Sequence, residues 1–187
     1  MSSTPTERII LGIDPGTNIL GYGIITCTGQ KMKLVTLGIL DMQKMDDPML
    51  KLQTIFERII ELIEEYHPDE MAIDAPFFGK NVQSMLKLGR AQGVAIAASL
   101  SRQIPATEYA PTKVKQSITG RGAASKEQVA AMLQSLLSIK DMPAKMDATD
   151  GLAVAVCHFF QNKPASMGKS YTGWKAFLAA NPERKKS

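Results

Sequence analysis

Ile9-Ile10-Leu11-Gly12-Ile13-Asp14-Pro15-Gly16 is the stretch from which the fold of this chain is read. Its first five residues, β-branched and almost wholly apolar, predict a buried strand. Asp14-Pro15-Gly16 is turn chemistry, with Pro fixing φ and Gly taking a conformation that other residues resist. Residues 20–27 predict a second strand. Gly29-Gln30 turns the chain, and residues 31–40 predict a third. Two short connections imply an antiparallel meander.

Asp46-Asp47-Pro48 then opens a helix with Pro in its first turn. Leu52, Ile55, Phe56, Ile59, Leu62 and Ile63 mark its apolar face, and His67-Pro68 ends it. A short strand follows at residues 71–74, a long helix at 81–103 and a fifth strand at 105–109. Gly89 and Gly93, with Ala95, Ala97 and Ala98, permit close backbone approach along the long helix, to the sheet before any partner. Short helices start at Pro111 and at Ser125, where Ser125 and Gln128 fit a capping box. A last helix begins near Asp147 and runs through Phe159. Three strands, then helix, strand, helix, strand and helices predict an α/β domain with a mixed five-stranded sheet and helices on its faces. The domain is expected over residues 1–161, and 162–187 is expected to be a basic C-terminal tail.

At 187 residues, with 44% apolar and 21% charged residues, the chain suits one globular domain. No stretch approaches the roughly 20 apolar residues of a membrane span, and residues 1–6 are too small and polar for a secretory signal. Cys27 and Cys157 sit in apolar patterns far apart, which predicts buried free thiols and a reducing, cytoplasmic setting. His67 and His158 are too few for a zinc cluster. The net charge of +4 is concentrated in the tail, where six basic residues and one acid give +5 and leave −1 on the rest. A nucleic-acid surface on the body must therefore be local. Two acid-free segments qualify, one with Lys80, Lys87 and Arg90 and one with Lys113, Lys115, Arg121 and Lys126. Solvated surface faces would look the same.

Four aspartates carry the chemistry. Asp14 and Asp74 each close an apolar strand, and Asp147 and Asp150 stand one helical turn apart. If the two strands are neighbours, their acids leave the same end of the sheet, where ligands of open α/β sheets gather. Four crowded acids repel unless cations neutralise them. Two divalent cations about 3.5–4 Å apart can activate a water and stabilise a leaving oxygen, as cleavage of an anionic phosphodiester requires. Mg²⁺ prefers such oxygen ligands. Singly, each acid also suits a local role. Asp14 and Asp74 fit Asx turns, Asp147 a helix N-cap, and Asp150 the positive end of the helix dipole. No Ser or Cys nucleophile with an adjacent His stands out, so a covalent intermediate is not expected.

These residues resemble the RuvC family of bacterial Holliday junction resolvases. The match begins with Gly12-Ile13-Asp14-Pro15-Gly16-Thr17 and Gly21-Tyr22-Gly23. It continues through Ala72-Ile73-Asp74, Phe77-Phe78-Gly79-Lys80-Asn81, Leu86-Lys87-Leu88-Gly89 and Gly93-Val94-Ala95-Ile96. Glu108-Tyr109-Ala110, Val114-Lys115-Gln116 and Asp147-Ala148-Thr149-Asp150-Gly151-Leu152-Ala153 complete it. The motifs fall in family order across residues 9–160. The resemblance implies a ribonuclease-H-like fold and a homodimer. It also implies cutting, with two Mg²⁺ or Mn²⁺ ions, of opposed strands of a four-way DNA junction in the bacterial cytoplasm, together with the RuvA–RuvB branch-migration complex. Asp14, Asp74, Asp147 and Asp150 take the family's catalytic and metal-holding positions; Asp14, central to the cluster, is expected to bridge two ions. Phe77 takes the position that engages bases at the crossover. Lys115 and Lys126 take basic positions serving DNA or the reacting phosphate, and Lys80, Asn81, Lys87 and Arg121 are further expected DNA contacts.

One departure from the family pattern is Asp74, where the pattern has glutamate. The charge is kept, but the carboxylate is withdrawn by one methylene, about 1.5 Å. An alternative is thus a junction-binding protein with impaired cleavage. An actin-like ATPase shares the opening hairpin pattern but needs a second related domain, and no repeat of the motif occurs. A general single-strand nuclease would show no preference for junctions.

Overall fold

The structure is a computed structural model that describes residues 7–76, 81–143 and 145–162. Strands β1 (Glu7–Asp14), β2 (Ile19–Thr28) and β3 (Lys31–Asp41) form the meander. Helix α1 (Pro48–Tyr66), strand β4 (Glu70–Asp74), helix α2 (Val82–Ser101) and strand β5 (Ala106–Tyr109) follow. Helices α3 (Pro111–Thr119), α4 (Lys126–Leu137) and α5 (Asp147–Gln161) complete the described fold.

The sheet order is β3-β2-β1-β4-β5. β1–β2 and β2–β3 pair antiparallel, whereas β1–β4 and β4–β5 pair parallel. The sheet is mixed because short turns join the first three strands, while helical crossovers bring β4 and β5 back in the direction of β1. The β1–β2 turn depends on Gly16, where a Cβ would lie 1.9 Å from the Ile19 carbonyl oxygen.

Alternate residues of each strand feed opposite cores. Ile10, Ile25 and Cys27 pack with α3, α4 and α5 on one face. Leu11, Ile13 and Ile24 pack with Ile55, Ile59 and Leu62 of α1 and Ala91, Ala95 and Ala98 of α2 on the other. Both cysteines are free and buried, as their apolar surroundings predict.

Helix ends follow local chemistry. The Asp47 side chain accepts from the Met49 N–H at 2.8 Å, and Pro48 follows in the first turn. Ser125 and Gln128 form the expected reciprocal cap, with bonds of 3.0 and 3.3 Å. α5 is buried almost all round, from Ala148 to Phe159, as the central helix between sheet and outer helices must be. Gly89 and Gly93 depart from expectation: a Cβ on either would meet nothing within 4 Å. α2 approaches the sheet with its alanine face and turns its glycines outward. Among the described residues no helix is long and apolar enough to cross a membrane.

Candidate metal centre and nucleic-acid interface

The acids meet because of strand register. Ile13 pairs with Ile73 in the parallel β1–β4 ladder, so Asp14 and Asp74 leave the sheet side by side at its C-terminal edge. The first turn of α5 is seated on the same edge by glycines. A Cβ on Gly21 would lie 1.8 Å from the Asp147 carbonyl oxygen, and one on Gly12 would lie 2.3 Å from that of Gly151. On the helix side, a Cβ on Gly151 would meet the Tyr22 backbone at 2.6 Å. Only bare backbone on both elements allows this approach.

The seating carries Asp147 and Asp150 over Asp14. One carboxylate oxygen from each of the three lies within 4.8 Å of the others. Met146, not Asp147, is the cap residue of α5, and no side chain caps it, so Asp147 is not occupied as an N-cap. Asp74 stands beside the trio rather than within it, lining the same cleft of about 210 Å³ with Asp14, Asp150, Lys115 and Lys126. Its Oδ1 is buried and has no hydrogen-bond partner. The Lys126 ammonium donates to Asp150 Oδ2 at 2.5 Å.

Electrostatics follow from this crowding. Burial, followed by the charges of Asp150 and Asp74, pushes Asp14 up to about 7. Burial, then the charge of Asp150, pushes Asp74 up to about 7 against the opposing Ala75 N–H, Lys115 and Lys126. Burial also raises Asp150, with Lys126 working against it. For Lys126, burial alone would lower the ammonium's pKa, but the bond and charge of Asp150 leave it raised.

This set fits divalent cations. Its donors are all hard carboxylate oxygens. Burial and then mutual repulsion raise the proton affinity of Asp14 and Asp74, and one buried oxygen, Asp74 Oδ1, lacks a partner. A hard cation suits those donors and would relieve both conditions at once. Asp14, Asp147 and Asp150 would hold it, with Asp74 reaching in from the neighbouring strand.

The other expected contacts are spread around this cleft. Asn81 caps α2, its side chain accepting from the Ser84 N–H at 3.1 Å. Lys87 lines a separate groove on the α1–α2 side. Arg121 is exposed in the turn between α3 and α4. Phe77 and Lys80 lie outside the described residues, as does the tail beyond Asn162.

The sequence reading did not single out two supports of the site. The buried Gln92 side chain donates to Glu108 at 2.9 Å and to the Asp74 carbonyl oxygen at 3.4 Å, fixing the end of β4. A glutamine within the alanine face of α2 was the available signal. Lys145 donates to Asp41 at 2.6 Å, tying the approach to α5 to the end of β3. No local pattern announces that long-range pair.

The crossover junction endodeoxyribonuclease RuvC family model matches residues 10–158. The crossover junction endodeoxyribonuclease RuvC of Christiangramia forsetii is 62% identical over 179 residues, covering 96% of this chain and 93% of that protein. The Bacteroides fragilis protein of the same name is 62% identical over 182 residues, covering 96% and 97%. Among solved structures, T. thermophilus RuvC in complex with Holliday junction substrate superposes with a TM-score of 0.78 at 29% identity. The match covers 83% of this chain and 95% of that one. With the acids gathered at the edge of a matching sheet, and with sequence likeness over nearly its whole length, this chain belongs to the RuvC family.

Proposed function

We propose that this chain is a Holliday junction resolvase, an endonuclease that hydrolyses phosphodiesters on two opposed strands of four-way DNA in recombination and repair. The observation that carries this reading is the trio of Asp14, Asp147 and Asp150, within 4.8 Å of one another in a chain of the RuvC family. We propose Mg²⁺ as the metal, two ions per site, with Mn²⁺ able to substitute. Bound there, they would supply an activated water and stabilise the leaving oxygen.

The chain's own residues set the geometry of the reaction. Asp14 is central, facing Asp150 and Asp147 from α5 and Asp74 from β4. Lys115 and Lys126 bring positive charge into the same cleft, where they can offset charge gathering on the phosphate. The Lys126–Asp150 pair keeps that ammonium at the cluster. Phe77 is assigned to engaging bases at the crossover, and Lys80, Asn81, Lys87 and Arg121 to the DNA around it. Those assignments rest on the family likeness and on charge.

A homodimer suits the substrate, because a two-fold dimer presents two like sites to two like strands. The outward face of α2 supports one. Val82, Leu86 and Leu100 are 62%, 53% and 56% exposed, and Gly89 and Gly93 share their side of the helix. Such a contiguous apolar and small-residue stripe is what a second α2 would cover. Work beside the RuvA–RuvB complex, in the bacterial cytoplasm, follows from the family alone.

Incubation with a labelled mobile four-way junction and a linear duplex of the same sequence tests the reading. Paired cuts in opposed strands of the junction are expected, with the duplex intact. Equal cutting of both would refute it.

A further inference from the structure

A second, larger groove opens on the opposite side of the sheet from Lys115 and Lys126. It measures about 430 Å³, within the roughly 300–1,000 Å³ of ordinary ligand sites. Three elements build it: the β1–β2 turn gives Thr17 and Asn18, the start of α1 gives Lys51, and the first half of α2 gives Ser84, Lys87 and Arg90. Three cations line it against one acid, Asp46. Lys51 Nζ donates to Asn18 Oδ1 at 2.9 Å, which locks α1 to the turn. The Met42 N–H donates to the Asn18 carbonyl oxygen at 2.7 Å, holding the same turn to the end of β3. Lys87 and Arg90 form no ion pair among the described residues.

The groove is built in part from the turn that follows Asp14. Thr17 and Asn18 follow Asp14 within one turn, and Gln92, which bonds the Asp74 carbonyl, lies two residues beyond Arg90 on α2. Basic groups thus lie on both faces of the sheet whose edge carries the acids, Lys115 and Lys126 on the α3–α4 side and Lys51, Lys87 and Arg90 on the α1–α2 side. An acid cluster repels a polyanion, so cations on both flanks are what would hold a strand across it.

We infer that this groove carries the sugar-phosphate backbone of the strand being cut, on its way out of the acid cluster toward α2. The inference rests on the proposed nuclease reading, adds Asn18 and Lys51 to the residues named for DNA, and gives Arg90 of the basic α2 segment a phosphate to hold. Recognition there is of phosphates, with Thr17, Ser84 and Asn18 as neutral hydrogen-bonding neighbours, so it carries no base sequence.

The test uses the full chain with Asp14→Asn to prevent cutting, a fluorescent four-way junction, and titrations across a salt series. Each phosphate deprived of its cationic partner lowers the slope of log K on log salt by about 0.7–0.9. Lys87→Ala with Arg90→Ala is thus expected to lower it by about 1.4–1.8. Lys31→Ala with Lys33→Ala, at the far end of the β2–β3 hairpin, is expected to leave it unchanged. In the cleaving protein, the groove pair is expected to raise KM while kcat holds, the sign that uniform binding has been removed. Melting curves confirm that each variant folds. An unaltered slope in the folded groove variant, beside a salt-sensitive parent, overturns the groove and leaves the nuclease reading standing. A parent that does not bind the junction overturns both.

Discussion

A Cβ placed on Gly21 would lie 1.8 Å from the carbonyl oxygen of Asp147, so strand β2 and helix α5 touch backbone to backbone. Neither partner can rotate out of the way. Gly21→Ala must lift the start of α5, and with it Asp147 and Asp150, from Asp14. Overpacking costs about 1–3 kcal/mol, and a backbone clash belongs at the upper end. Urea melts should show that loss. Junction cutting should fall by at least about 10²-fold, the effect of a 1 Å misplacement at a reacting centre. A variant with normal stability and rate would show that α5 is not seated by this contact.

Asp74 lines the cleft but stands apart from the close trio, and its Oδ1 has no partner. Glutamate would extend the carboxylate by about 1.5 Å toward the other acids. Asp74→Glu is therefore expected to raise the single-turnover rate on a labelled junction by about tenfold or more, with binding of the junction unchanged. A slower Asp74→Glu enzyme would mean that the neighbouring side chains are set for the shorter acid.

Stability without metal should depend on pH in a definite direction. Asp14 and Asp74 titrate near 7 in the fold, above their ordinary value of 3.8. Between those values the fold holds protons that the unfolded chain has released. Their contribution is complete at low pH and is lost as pH rises through about 7. In EDTA, Asp14→Asn should therefore gain stability relative to the parent between about pH 5 and pH 8, by on the order of 2 kcal/mol. Paired urea melts at the two pH values measure it. A constant difference would mean that Asp14 is not held protonated in the fold.

The outward stripe of α2 gives the proposed homodimer a physical test. Leu86 is 53% exposed and flanked on that face by Gly89 and Gly93. Leu86→Glu places a charge in any contact made there. Sedimentation velocity should show a dimer for the parent and a monomer for the variant, and melts of the variant should remain close to those of the parent. A dimeric Leu86→Glu protein would place the contact elsewhere.

Much of this was legible in the sequence because local patterns fix local structure. The β-branched run from Ile9 to Ile13, closed by turn residues, read as a buried strand, and Ser125 with Gln128 announced their own cap. The acids were legible as strand ends and as a helical pair. What a one-dimensional pattern lacks is the identity of neighbours. Gly89 and Gly93 read as close-approach residues, yet the alanines took the sheet and the glycines faced outward. The decisive close approach lay at Gly21 and Gly151, which are 130 positions apart. Alternating Gly21 and Gly23 on a strand is the signal that marks such a contact. The Lys145–Asp41 and Gln92–Glu108 bonds depend on tertiary placement, and neither residue pair has a distinctive spacing.

The geometry of Asp14, Asp147 and Asp150 predicts that the three together hold divalent cations. Anomalous diffraction from crystals soaked in Mn²⁺ tests it most directly. The expected result is metal density within about 2.0–2.3 Å of oxygens from Asp14 and the α5 pair, absent in Asp14→Asn crystals treated alike. Density at other carboxylates alone, or an unchanged peak in Asp14→Asn, would contradict it.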